Sequence, residues 1–391
     1  MAKGVETFLR AGYEVSIAST FKFNRREFWR LYGVDLSKIK LYSFPFMMPK
    51  FFGMYYRLLS SFPLKRAIRK ENPDVVFTDN ESFKPIFELK RKGKFKLIEY
   101  IHFPFKLIQI MYSSKEKEIF PEDFRNAIEM YMRDAELYQK KYEKGFWKLY
   151  FSIWLKLYNK VTRENPFEID DCVIVNSNYI ANLVKLLWNQ SPIVLYPPVK
   201  INDLIINSEL EFDKRDNSIV MLGRITPEKR YETAIEAVAM SKSKPKLQII
   251  GGLLTASFPY LEKLKRLSKE KNVNVEFHTN ISRNQVVNLL TRSKIFVHAC
   301  VGEHFGIAVV EGMAAGLPVI VHKSGGPYMD IIDYGRYGKY YETTEELTRY
   351  IDEFESDPRQ WEIYHKHSLR RAIIFREEEF SRRLLKIIEK S

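Results

Sequence analysis

Short apolar runs recur along the chain at 13–18, 39–44, 75–78, 97–101, 172–176, 193–196, 219–222, 246–251, 273–278, 294–299 and 318–322. Most are followed by a longer segment with apolar residues every three or four positions. Runs of four to six residues rich in Val and Ile suit buried strands, and the slower period between them suits helices packed by one face. The alternation predicts parallel α/β units with crossover helices. Helices are expected at 1–12, 177–188, 258–271 and 282–292, from 231 onward, and at the C-terminal end. The rhythm breaks at Tyr196-Pro197-Pro198, where proline and charge replace periodicity. A linker over 199–217 is therefore expected between a domain at 1–198 and a second at 218–372.

The most informative stretch is 301–329, VGEHFGIAVVEGMAAGLPVIVHKSGGPYM. Good helix formers fill 306–315, Gly316 is a natural terminating residue, and Pro318 prevents continuation. With strands on either side this reads as a βαβ unit around a helix of about three turns. Such a helix is apolar on nearly every side, so Glu311 is expected to be buried and to need a partner. Glu303 leaves the C-terminal end of a strand, the edge at which open parallel sheets bind ligands, and the following helix offers free N–H groups. Gly325 and Gly326 allow backbone to approach a phosphate or sugar closely.

Two other strand ends carry chemistry. The run 219–222 leads into Gly223-Arg224-Ile225-Thr226-Pro227-Glu228-Lys229-Arg230 ahead of a helical pattern. Cations at a helix N-terminus oppose its dipole, so Arg224, Lys229 and Arg230 imply an anion that completes the site. The second is YIHFPF, which places His102 just past a strand on the ligand-facing edge. Ser177 follows CVIVN as a helix N-cap.

Composition narrows the class. At 391 residues and 45% apolar, the chain has the length and core for two domains. Cys172 and Cys300 lie far apart in apolar contexts and read as buried free thiols of a reducing compartment. No run approaches the ~18 apolar residues that span a bilayer, so a cytoplasmic or peripheral location is expected. No P-loop occurs and no G-x-G-x-x-G follows the first strand, which argues against a P-loop NTPase and a dehydrogenase. Seven scattered histidines, with only His365 and His367 close together, do not make a metal site. The net charge of +14 is uneven: residues 1–100 hold 20 Lys and Arg against 10 Asp and Glu. Such a face suits nucleic acid, an anionic membrane surface or an anionic substrate. No nucleic-acid recognition module accompanies the charge, so nucleic acid is not expected. The stretch 44–69, mixing Phe, Tyr and Met with Lys and Arg, fits either interfacial membrane contact or a core helix. A second aromatic stretch, 146–158, reads as core.

The pattern of Glu303, seven residues, Glu311, joined to HFG at 304–306 and SGGP at 324–327, resembles the signature of retaining GT-B glycosyltransferases of family four. Within that family, HFPF, VNS, YPPV and the SGGP-x-x-D pattern look most like the α-1,2-mannosyltransferases that extend dolichol-linked oligosaccharide. Gly302 departs from the residue those enzymes carry before the first Glu. The resemblance implies two Rossmann-like domains facing across a cleft, with a C-terminal helix at 373–391 packing back on the first. It implies a nucleotide diphosphate sugar as donor substrate, GDP-mannose in the best reading, a glycan or lipid-linked acceptor, and no metal or other cofactor. It assigns Glu311 to the ribose, Glu303 to the sugar, and Arg224 and Lys229 to the diphosphate, with Phe305, Gly306, Ile307, Gly325 and Gly326 completing the donor site. His102 joins Glu303, Arg224 and Lys229 near the reacting sugar. A nucleotide-sugar-binding protein without transfer activity, and a basic membrane- or RNA-associated scaffold, are the alternatives. The family opens with a strand and a Gly-rich loop ahead of the helix that 1–12 matches here, so the N-terminal domain is expected to lack its first strand and the natural beginning to lie upstream.

Overall fold

The computed structural model describes all residues except 23, 45–54, 56, 57, 80–83, 105, 108, 109, 111–119, 123, 124, 127, 128, 130–144, 163 and 164. Most of the aromatic part of 44–69 therefore lies outside the described residues.

Twelve strands are described: β1 Ser16–Ala18, β2 Lys40–Tyr42, β3 Val75–Thr78, β4 Lys96–Ile101, β5 Cys172–Val175, β6 Ile193–Val194, β7 Ser218–Leu222, β8 Lys246–Gly251, β9 Val275–Thr279, β10 Ile295–His298, β11 Val319–His322 and β12 Lys339–Tyr341. They form three parallel sheets: β1-β2, β3-β4-β5-β6, and β12-β11-β10-β7-β8-β9. All pairings are parallel because each strand is followed by a crossover rather than a hairpin.

The six-stranded sheet shows the two-residue strand period directly. Ile219 and Met221 of β7 join Leu247 and Ile249 in one core, with Ala234, Ile235 and Val238 from the helix Tyr231–Met240. Val220 points the other way, into a core with Ile250, Phe296, Val309 and Val310. Both faces are covered, which is why these strands read as continuous apolar runs. Helix and sheet approach so closely at Gly312 that a Cβ there would fall 2.6 Å from the Phe296 ring. In chain order β8 and β9 extend the sheet from β7 in one direction, and β10, β11 and β12 in the other. The order therefore reverses between β7 and β10, and the crevice at their C-terminal ends is where such sheets bind ligands.

The first two sheets share helices instead of hydrogen bonds. From the helix Ala2–Arg10, Val5 and Leu9 pack with Ile17 of β1, while Phe8 meets Phe77 of β3 edge to face at 5.9 Å. The final helix, Glu377–Lys390, crosses to this half and buries Phe380, Leu384 and Ile388 with Ile98, Tyr100 and Ile174. Thr7 and Ser381 share a 2.8 Å hydroxyl hydrogen bond across that junction. The segment read as a linker is structured in part: Val199, Ile201 and Leu204 are buried in the core beside Val309. Its polar residues hid three apolar anchors with no regular period.

The core expectation for 146–158 fits one face only. The helix Gly145–Val161 buries Tyr150, Trp154 and Tyr158, whereas Leu149, Ile153 and Leu157 face solvent. Aromatic density marked the helix without revealing that it has two apolar faces.

Candidate functional site

Because β7 and β10 are neighbours, the loops leaving them meet, and the meeting point is an ion pair between the Lys229 ammonium and the Glu303 carboxylate. Lys229 ends a short turn, Pro227–Lys229, and Arg230 follows with φ of 50°. The turn is pinned by the Tyr231 hydroxyl, which donates to the Arg224 carbonyl at 3.1 Å. Gly251 of β8 lies against the Gly223 carbonyl so closely that no Cβ fits between them.

Burial would favour the neutral form of each partner, but their mutual attraction prevails. Glu303 is held well below the usual carboxylate range and the Lys229 amine is raised. Beside them, burial lowers the His298 imidazole, leaving it neutral at neutral pH, and raises the Cys300 thiol. His298 Nε2 lies 3.6 Å from the Glu303 carboxylate. The ligating atoms of His298, Cys300 and Glu303 fall within 4.8 Å of one another, a grouping of the kind that holds metals. Here Lys229 already meets the charge of Glu303. Arg224 stays largely exposed on the crevice side and is 3.7 Å from Glu228.

The loop carrying Glu303 is clasped by the loop after β11. The Gly302 N–H donates to the Ser324 hydroxyl at 3.0 Å, and the Gly326 N–H donates to the Glu303 carbonyl at 2.8 Å. A Cβ on Gly326 would sit 2.5 Å from the His304 carbonyl oxygen, and one on Gly325 would strike the Glu303 backbone. The two glycines thus serve close packing of one loop on the other. Gly306, with φ of 102°, turns the chain into the helix Ile307–Ala314, whose N-terminus no side chain of the described residues caps. Ile307 at its first turn is exposed, while Phe305 is buried between Tyr196 at 5.6 Å and Phe375 at 5.5 Å. The Phe305 ring is committed to packing, so only its backbone faces any ligand role. The helix is nearer two turns than the three expected, since its first residues are spent on the Gly306 turn.

Glu311 is partly buried and has the partner its position demands. Arg283 pairs with it and also holds Asp203 through two contacts, 2.8 and 3.0 Å, and donates to the Lys200 carbonyl at 3.1 Å. Burial pushes the Glu311 carboxyl up and Arg283 opposes that shift. Sequence reasoning missed Arg283, although a cation opening a helix is the signal that singled out Lys229.

The N-terminal half closes the crevice. His102 follows β4, and its backbone carbonyl accepts from Asn176 Nδ2 at 3.1 Å. Although solvent reaches the imidazole, the protein around it lowers its pKa, with Asp79 opposing. The neighbouring Phe103 ring stacks on His304 at 4.4 Å, and Ser177 Oγ donates to the His304 carbonyl at 2.7 Å. Ser177 also caps its own helix, accepting from the Ile180 N–H. Asp330 reaches the same helix start and accepts from the N–H groups of Asn178 and Tyr179. The structure thus gathers His102, Lys229, Glu303 and the 324–326 loop around one crevice, with Glu311 on the next helix turn and Arg224 at the rim.

Residues 204–372 match the family described as Glycosyl transferases group 1. The chain is 27% identical over 338 residues to the Dictyostelium discoideum GDP-Man:Man(3)GlcNAc(2)-PP-Dol alpha-1,2-mannosyltransferase, covering 80% of this chain and 63% of that protein. It is 30% identical over 263 residues to the Homo sapiens protein of the same name, covering 63% of this chain and 50% of that protein. The alignments thus span less than two thirds of either relative. A solved glycosyltransferase from Rickettsia africae ESF-5 superposes with a TM-score of 0.67 at 17% identity, over 100% of this chain and 93% of its own. The fold is GT-B, and the C-terminal half carries a glycosyltransferase group 1 domain.

Proposed function

We propose that this protein is a retaining glycosyltransferase that moves a hexose, mannose from GDP-mannose in the best reading, onto a lipid-linked glycan. The observation that carries the proposal is the Lys229–Glu303 pair at the point of strand reversal, beside the uncapped N-terminus of Ile307–Ala314. A similar sequence in proteins named as GDP-mannose-dependent mannosyltransferases supports the choice of donor and acceptor.

In this reading the bond between the sugar's anomeric carbon and the diphosphate breaks, and its electron pair leaves on the diphosphate oxygen. Lys229, Arg224 and the helix N–H groups stabilise that charge, a preorganised role that asks nothing of a metal. Glu303, kept ionised by Lys229, faces the sugar and accepts its hydroxyl hydrogen bonds. Glu311, neutralised by Arg283, holds the ribose hydroxyls. The new bond forms between the anomeric carbon and an acceptor oxygen, whose proton departs on the His102 side of the crevice, where the imidazole is held neutral and able to accept it.

A thermal-shift series with GDP-mannose, GDP, UDP-glucose and mannose tests the donor site, since a ligand of the folded state alone raises its melting temperature by mass action. The largest rise is expected with GDP-mannose and its loss in Lys229→Ala. A flat response to every nucleotide overturns the proposal.

A further inference from the structure

We infer that His298, Cys300 and Glu303 form a binding site for a thiophilic divalent cation, zinc foremost, which takes the Glu303 carboxylate from Lys229 and silences the crevice. The three residues lie on one short segment, the end of β10 and the loop that leaves it, and their ligating atoms fall within 4.8 Å of one another. No other grouping of this kind occurs among the described residues. Counting histidines along the chain hides it, because a thiol and a carboxylate supply two of the three ligands.

Neither His298 nor Cys300 has a part in the reaction proposed above. His298 is 4% exposed, and its Nε2 stands 3.6 Å from Glu303, beyond hydrogen-bonding range, with no hydrogen-bond partner among the described residues. Cys300 is 1% exposed, and its thiol donates over a long 3.8 Å to the Val301 carbonyl. A buried imidazole nitrogen without a partner calls for an explanation, and a bound cation supplies one. Ligand chemistry selects the ion. Imidazole, thiol and carboxylate together suit zinc, whereas magnesium and calcium take oxygen ligands. Ligand atoms bound to one zinc at about 2.0–2.3 Å stand roughly 3.3–3.8 Å apart, so the loop carrying Cys300 and Glu303 draws in by about an ångström. The thiol proton passes to solvent, and zinc with one thiolate and one carboxylate is neutral overall, which lowers the cost of burying it. Lys229 keeps its proton and turns towards the crevice, since the cation that takes its partner also repels it. The metal site stands on these contacts alone. That it silences transfer rests on the role proposed for Glu303, whose carboxylate cannot serve metal and sugar at once.

Cobalt, which reports its ligands by absorption, tests the site in the full chain. Titration with Co2+ is expected to give a stoichiometric complex with a thiolate-to-cobalt charge-transfer band in the near ultraviolet, bleached by equimolar Zn2+ and untouched by excess Mg2+. The band is expected to vanish in Cys300→Ala and to persist in Cys172→Ala, which removes the chain's other cysteine. Lys229→Met is expected to bind Co2+ roughly tenfold or more tightly, because the competing ammonium is gone. In a transfer assay Zn2+ is expected to inhibit the parent and spare Cys300→Ala. A parent without the charge-transfer band, or a band that survives Cys300→Ala, overturns the inference whether or not the protein transfers a sugar. Co2+ binding no tighter in Lys229→Met than in the parent overturns the exchange with Lys229. A parent that binds Co2+ through Cys300 yet transfers no sugar counts against the proposed reaction and leaves the metal site in place.

Discussion

The Asp330 carboxylate accepts the backbone N–H groups of Asn178 at 2.6 Å and Tyr179 at 3.2 Å, so a residue of the C-terminal half caps a helix of the N-terminal half. Ser177 takes the Ile180 N–H of the same helix, and the two acceptors together satisfy donors that a helix start leaves open.

Asp330→Ala is expected to destabilise the protein by about 1–3 kcal/mol, the cost of stranding buried donors. Urea unfolding measures it. The loss is expected to exceed that of Asp333→Ala, whose side chain is more exposed. Equal effects at the two positions would show that the cap across the halves contributes nothing.

Lys229 and Glu303 are both mostly buried. Removing either alone leaves an uncompensated charge at a cost of about 3–5 kcal/mol, whereas removing both leaves none. Lys229→Met and Glu303→Gln are therefore each expected to unfold at lower urea than the double variant. A double variant as unstable as the sum of the two singles would mean that they do not interact.

Arg283 neutralises Glu311 and is itself steered by Asp203. Arg283→Met is expected to weaken GDP-mannose binding by roughly tenfold or more, in line with loss of a charge-assisted contact. Asp203→Asn is expected to have a smaller effect, because it keeps a polar group beside the guanidinium. Calorimetric titration with unchanged affinity in Arg283→Met would remove Arg283 from the site.

Burial pushes both His304 and His322 down to about 4 from the ordinary 6.5. Between those values the unfolded chain binds more protons than the folded one, so stability is fully present above pH 6.5 and falls as pH drops towards 4. At about 1.4 kcal/mol per pKa unit the upper bound is about 3 kcal/mol for each ring, lessened by partial solvent access. His322→Gln is expected to flatten the fall in unfolding midpoint across this window. The same slope in the variant would place the titration elsewhere.

The strand rhythm made the six-stranded sheet legible, because both of its faces are covered and every position from Ile219 to Met221 is apolar. Glu303 and Lys229 were legible as strand-end charges. That they pair was not, since adjacency of β7 and β10 depends on strand order, which periodicity does not encode. Gly325 and Gly326 were read as letting backbone approach a ligand, and the structure adds that they also let their loop lie against the backbone of 302–305. Both readings rest on the absence of a side chain, and only coordinates distinguish what fills the space. Asp330 was visible within SGGPYMD, but its partner lies 152 positions away in the other half. The outer face of Gly145–Val161 was missed because aromatic residues on the inner face dominated the pattern.

In the proposed reaction Glu303, held ionised by Lys229, serves the donor sugar during transfer. Incubation with GDP-mannose labelled in the sugar and a lipid-linked oligosaccharide, following label in the lipid fraction and release of GDP, tests it most directly. Label transfer by the parent is expected, with a fall of roughly a hundredfold or more in Glu303→Gln, in keeping with loss of a preorganised charge at the reacting centre, while GDP-mannose binding persists. Transfer by Glu303→Gln at the parent's rate, or no transfer by a parent that binds GDP-mannose, would contradict it.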